Sequence, residues 1–174
     1  MRAILIGLAC TLAELSSPAV AAPASDIVGK SVLVNWTENE ELVGGPAKSI
    51  GLELRLYISS AGRPFTRVTA TGRGSAMNEQ VGASGTSNAG GVRAVRVDGH
   101  TVVLQAIKGN YAKNLRVEIA PGGSSCSAQM SIGKEVGTGP RAFRSPLSGA
   151  TIEIRSLTAS GVSCSMQQGN VFAN

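Results

Sequence analysis

At 174 residues with a net charge of +5, the chain is sized for one domain and biased toward anionic partners rather than cationic ones. Aromatic residues make up only 3% of it, so any core must be built mainly from Val, Ile, Leu and Ala. One His and three Cys leave too few ligands for a zinc site of ordinary spacing.

The first 24 residues have the layout of a secretory signal peptide. Met1-Arg2 supplies a short positive start, residues 3–13 are uncharged and apolar, and a small-residue zone follows. The apolar run is about half the roughly 20 residues a membrane-spanning helix needs, and Glu14 ends it. Cleavage after Ala21 or after Ala24 satisfies the small-x-small rule. Cys10 lies too early in the apolar run to serve as a lipidation site. Arg2 and Glu14 leave together, so the exported chain, 25–174, keeps its +5.

Beyond residue 24 apolar side chains recur at every second position, the period of a strand with one buried face. An opening strand is expected over 31–37, ending near Trp36, which reads as core. Ile50, Leu52, Leu54, Leu56 and Ile58 alternate with polar residues, and a turn at 59–64 leads to a partner strand over 65–71. Residues 72–91 are rich in Gly and Ser, lack periodicity and are expected to form a mobile loop. Asp98-Gly99 then joins strands over 92–97 and 101–107 as a hairpin. Pro121-Gly122-Gly123 joins 115–119 to 126–132, and Ala159-Ser160-Gly161 joins 152–157 to 162–166. Four hairpins and the opening strand bring the total to about nine strands.

Three of these strands carry one Glu and one Arg two residues apart: Glu53 and Arg55, Arg116 and Glu118, Glu153 and Arg155. Such pairs share a face and can meet opposite charges on a neighbouring strand. Cys126 and Cys164 remain after cleavage, an even number that suits an oxidising compartment. Both fall on apolar strand faces, so a bond between them is expected inside, stabilising the fold by roughly 4 kcal/mol.

No constellation for catalysis assembles. His100 follows Asp98 by two residues within a turn, a spacing that does not set a carboxylate on an imidazole, and no Gly-x-Ser-x-Gly elbow is present. Glu38-Asn39-Glu40-Glu41 lacks the spacing of a calcium loop and reads as a solvated turn after the opening strand. The chain is therefore expected to be no enzyme and to need no cofactor or metal.

Two loops read as binding candidates. Lys108, Tyr111 and Lys113 combine cations with a ring, as do Arg141, Phe143 and Arg144. Arg grips carboxylate or phosphate in bidentate fashion, while a ring stacks on a sugar. Ile27-Val28-Gly29-Lys30 resembles the opening strand of lipocalin-like barrels, but Ser31 stands where those carry Trp, so no function is carried over.

The fold expected is a single all-β antiparallel meander closed as a barrel, with a two-layer β-sandwich as the alternative. The role expected is an exported, periplasmic or secreted binding module. Its partner would be an anionic polysaccharide, lipid head group or other envelope component, with no specific nucleic acid and no transmembrane segment. The alternative role is a structural or protein-interaction subunit of the envelope.

Overall fold

The computed structural model describes residues 22–71, 79–81, 92–134, 142–144 and 149–173. Those residues are nearly all β, with two three-residue 3₁₀ turns at Ser25–Ile27 and Pro121–Gly123. The strands are β1 Lys30–Leu42, β2 Lys48–Ile58, β3 Pro64–Thr71, β4 Glu79–Val81, β5 Val92–Asp98 and β6 Thr101–Lys108. They continue with β7 Tyr111–Ile119, β8 Cys126–Lys134, β9 Phe143–Arg144, β10 Thr151–Ile152 and β11 Ile154–Gln168.

They form two antiparallel sheets, ordered β11-β1-β2-β3-β4 and β5-β6-β7-β8, beside a short β9–β10 ladder. Successive strands pair antiparallel within each sheet. Only β11 travels back, to lie beside β1. The inward faces meet in one core: Val32, Val34, Trp36, Leu52, Leu54, Leu56 and Val68 from the first sheet, Val102, Leu104, Leu115 and Val117 from the second. Ile27, fully buried, belongs to the same core. Alternation thus does what the sequence requires of it, sending one face of each strand out of water.

Barrel closure is the expectation that fails. Among the described residues no ladder joins the two sheets, an arrangement consistent with the two-layer alternative. Edge strands β8 and β11 are joined instead by the Cys126–Cys164 disulfide, with Cα atoms 5.8 Å apart. Both cysteines are half-buried and pack against the core, as do Ala128, Met130, Val162 and Met166 nearby. A covalent bond and side-chain packing hold this seam where backbone pairing would close a barrel.

Three local expectations are also corrected. Residues 159–161 are no hairpin turn, for β11 runs straight through them. Its register against β1 shifts between Asn35 and Thr37, so that Gly161 and Val162 together face Trp36. Gly161 has φ +63°, the left-handed conformation a glycine-based bulge uses to absorb one extra residue. Second, β1 extends to Leu42, so 38–41 form strand and not a solvated turn. Third, Glu79–Val81 within the expected loop pair with β3 as the edge strand of the five-stranded sheet. The remainder of that loop, 72–78 and 82–91, lies outside the described residues, as do residues 1–21 of the expected signal segment.

At Glu53/Arg55 and at Arg116/Glu118 the same-face pairs form, but along single strands rather than across them. Arg55 Nε meets Glu53 Oε1 at 2.7 Å, and Arg116 meets Glu118 at 2.5 Å.

Candidate functional site

On the outer face of β2 and β3 lies a groove of about 290 Å³, lined by Tyr57, Ser59, Phe65, Thr66, Arg67, Asn170 and Phe172. Its first wall follows from strand parity. Leu56 and Ile58 turn into the core, so Tyr57 between them turns out. Tyr57 pairs in register with Phe65, and their rings stand 6.4 Å apart, tilted by 34°. Arg67, two residues beyond Phe65, occupies the same outer face. The intervening turn is braced by Arg63 N–H donating to Ser59 Oγ at 3.1 Å and Ser59 N–H donating to the Arg63 carbonyl at 2.9 Å.

The second wall is the segment after β11, which crosses the outer face of β1. Ser31, fully buried, holds it there. Its hydroxyl donates to the Gly169 carbonyl at 2.6 Å and accepts from Val171 N–H at 3.0 Å. Asn170 Oδ1 then accepts from Phe172 N–H at 2.9 Å, turning the segment back over the sheet. Phe172 ends beneath Arg67, whose guanidinium carbon lies 5.3 Å from the ring centroid, a cation–π contact.

The chain has six aromatic side chains, and three of them (Tyr57, Phe65 and Phe172) stand around this one groove. Phe65 is among the few large apolar side chains left exposed, at 37%. The described lining residues include one guanidinium and no carboxylate. Ser59 supplies a hydroxyl to the lining, whereas Thr66, between Phe65 and Arg67, is 2% exposed and turns its hydroxyl inward. Rings, one fixed cation, a hydroxyl and an amide make a surface suited to the face of a sugar ring bearing an acidic group.

The site residues expected from sequence are placed differently. Lys108 and Lys113 do not project from a loop: β6 and β7 are joined by a two-residue turn, Gly109-Asn110, with Lys108 opposite Tyr111. Both ammonium groups turn inward to two carboxylates of β1. Glu38 Oε2 accepts from Lys108 Nζ at 3.0 Å, and Glu38 Oε1 accepts from Lys113 Nζ at 2.8 Å and from Trp36 Nε1 at 3.3 Å. Lys108 also bonds Glu40 Oε1, so it bridges the two acids. Glu38 is fully buried and Glu40 is 4% exposed. Burial alone pushes the Glu38 carboxyl up, yet the charges of Lys113 and Lys108 outweigh it and hold the group at about 2. Burial likewise opposes the Lys108 charge, but Glu38 and Glu40 raise its pKa above the usual lysine value.

Tyr111 is buried, with its hydroxyl donating to the Arg155 carbonyl and the Lys134 ammonium 5.8 Å from its ring centroid. These three residues therefore face inward partners. Phe143 and Arg144 form β9 against β10, while Arg141 lies outside the described residues.

At the opposite end of the sheets His100 Nε2 lies 2.9 Å from both Asp26 carboxylate oxygens. Asp26 also accepts from Gly122 N–H, and the His100 and Gly122 bonds lower its pKa. The acid partner of the single histidine is thus Asp26, not Asp98. This cluster ties the chain's entry segment to two turns.

Sequence reasoning missed the groove because its two walls are more than a hundred residues apart. Only the outward parity of Tyr57, Phe65 and Arg67 was available as a signal. The inward lysines and acids had a clearer one. Val32, Val34 and Trp36 continue in parity to Glu38 and Glu40, and Val102, Leu104 and Ala106 continue to Lys108.

Among the described residues no group of three or more His, Cys, Asp or Glu is arranged to hold a metal ion. No described helix is long and apolar enough to cross a membrane. No protein-family model, curated protein or solved structure matches the chain.

Proposed function

We propose that this protein is an exported, non-catalytic binding module for an anionic polysaccharide, and that one acidic sugar residue sits in the groove of Tyr57, Phe65, Arg67 and Phe172. The observation that carries the reading is the gathering of half of the chain's few aromatic side chains around a single guanidinium on an outer sheet face. Rings cover the apolar face of a pyranose, and the guanidinium receives its carboxylate in bidentate fashion. The groove volume of about 290 Å³ is at the small end of ligand pockets, which suits one ring of a longer chain. A net charge of +5 brings a polyanion to the surface before the groove selects a residue of it. The disulfide supports export, since such bonds persist in oxidising compartments.

Calorimetric titration with a uronic-acid oligosaccharide and a neutral oligosaccharide of equal length tests the reading. Binding of the uronate alone is expected, weakened about tenfold or more by Arg67→Ala and by Phe65→Ala. The Arg141→Ala/Arg144→Ala double variant separates the groove from the 141–144 segment. Equal binding of both sugars, or uronate binding untouched by the Arg67 and Phe65 changes, refutes the assignment.

A further inference from the structure

The sequence offers two places where a signal peptidase could cut, after Ala19-Val20-Ala21 or after Ala22-Pro23-Ala24. They differ in what the folded domain keeps. Ala22 supplies a carbonyl that accepts from Gly99 N–H at 3.2 Å, and Ala24 N–H donates to the Gly99 carbonyl at 3.0 Å. Between them Pro23 forms a parallel bridge with Gly99, at the turn between β5 and β6. The Pro23 ring also packs on the β2–β3 turn, its Cγ 3.3 Å from where a Cβ on Gly62 would stand. Ala24 is half-buried against the core, and its carbonyl accepts from Ile27 N–H at 3.2 Å, opening the 3₁₀ turn that seats Ile27.

We propose that the exported chain is cut between Ala21 and Ala22, so that its first residue is the first to bond the fold. A cut after Ala24 removes both bonds to Gly99, the Pro23 contacts with two turns and the carbonyl that caps Ile27. It also sets a charged ammonium on Ser25, where the first N–H groups of the turn already carry partial positive charge. A cut after Ala21 costs the domain none of these contacts. Residues 22–24 are therefore part of the mature domain, whose start lies three residues before the 25–174 boundary expected from sequence.

The assignment rests on the export reading and is tested with the full chain expressed in a Gram-negative host. Intact mass and N-terminal sequencing of the exported protein are expected to give Ala22-Pro23-Ala24-Ser25. Ala19→Leu alters only the triplet ending at Ala21, in a stretch removed in either case, and is expected to slow processing so that precursor accumulates. A chain beginning at Ser25, or processing unchanged by Ala19→Leu, overturns the assignment and leaves export standing. A chain that keeps Met1 and stays in the cytoplasm overturns both.

Discussion

Lys108 Nζ on the second sheet lies 3.0 Å from Glu38 Oε2 on the first, and the bond is shut away from water on the carboxylate side. With Lys113 and Glu40 it makes a neutral four-charge cluster between the sheets. Buried charges are tolerated only when paired and hydrogen-bonded, so the cluster dictates how the sheets sit at this end.

Acid should weaken the fold through Glu38. Its pKa is about 2 when folded and 4.5 ordinarily, so between those values the unfolded chain binds the proton that the folded chain refuses. Stability then rises with pH across that window. The contribution, on the order of 3 kcal/mol, is complete above the ordinary value and lost as pH falls toward 2. Lys108, raised above 10.5, loses its contribution only in strong alkali, as pH climbs through its folded pKa. Melts from pH 2 to 7 should show this acid limb, and Glu38→Gln should flatten it. An acid limb that is unchanged in Glu38→Gln places the proton elsewhere.

Lys113→Met leaves Glu38 buried with one cation fewer. A loss of about 3 kcal/mol is expected in urea unfolding, in the range for breaking a buried pair. The coupling between Lys113→Met and Glu38→Gln in a double-mutant cycle should exceed about 1 kcal/mol. Additive changes would mean that the two charges do not interact.

The disulfide closes a separation of 38 residues, for which loop-closure entropy gives about 4 kcal/mol. Cys126→Ser/Cys164→Ser and the reduced wild type should unfold at similarly lowered denaturant. A double variant as stable as the oxidised protein would show that core packing alone holds the β8–β11 seam.

Gly161 has φ +63° and no atom within 4 Å of an added Cβ, so Gly161→Ala tests backbone strain alone. A loss of about 1–2 kcal/mol is expected. Gly133 has equal space and no left-handed backbone, and Gly133→Ala should change stability by less than about 0.5 kcal/mol. Equal effects at the two positions would remove the bulge as the explanation.

Ser31→Ala removes both bonds that hold residues 169–171 over β1. Uronate affinity should fall about tenfold while stability drops by only about 1–2 kcal/mol. Ser31→Thr, which keeps the hydroxyl, should bind more tightly than Ser31→Ala. Affinity indifferent to the hydroxyl would mean that Asn170 and Phe172 are not a wall of the site.

Much of the fold was written in parity. Alternation at 50–58, 101–107 and 115–119 identified core strands because each inward residue is apolar and each neighbour is wet. The same rule misled where a turn signal interrupted it. Ala159-Ser160-Gly161 carries the composition of a hairpin, yet a left-handed glycine serves a bulge as well as a turn, and only the partner strand decides between them. Glu38 and Glu40 were read as solvated because an acid is costly to bury alone. Their cations lie about 70 residues away, at Lys108 and Lys113.

By itself the sequence determined the β class, three of the four expected hairpin pairings, the inward faces and the two cysteines able to meet, since these follow from local alternation, short turns and elimination. The tertiary structure alone decided that the sheets stay open, that four charges neutralise one another inside, and that the segment after β11 completes an aromatic groove. Those outcomes depend on groups distant along the chain coming within a few ångströms, and neither hydrogen bonds nor charge pairing act over a longer reach in a way that composition records.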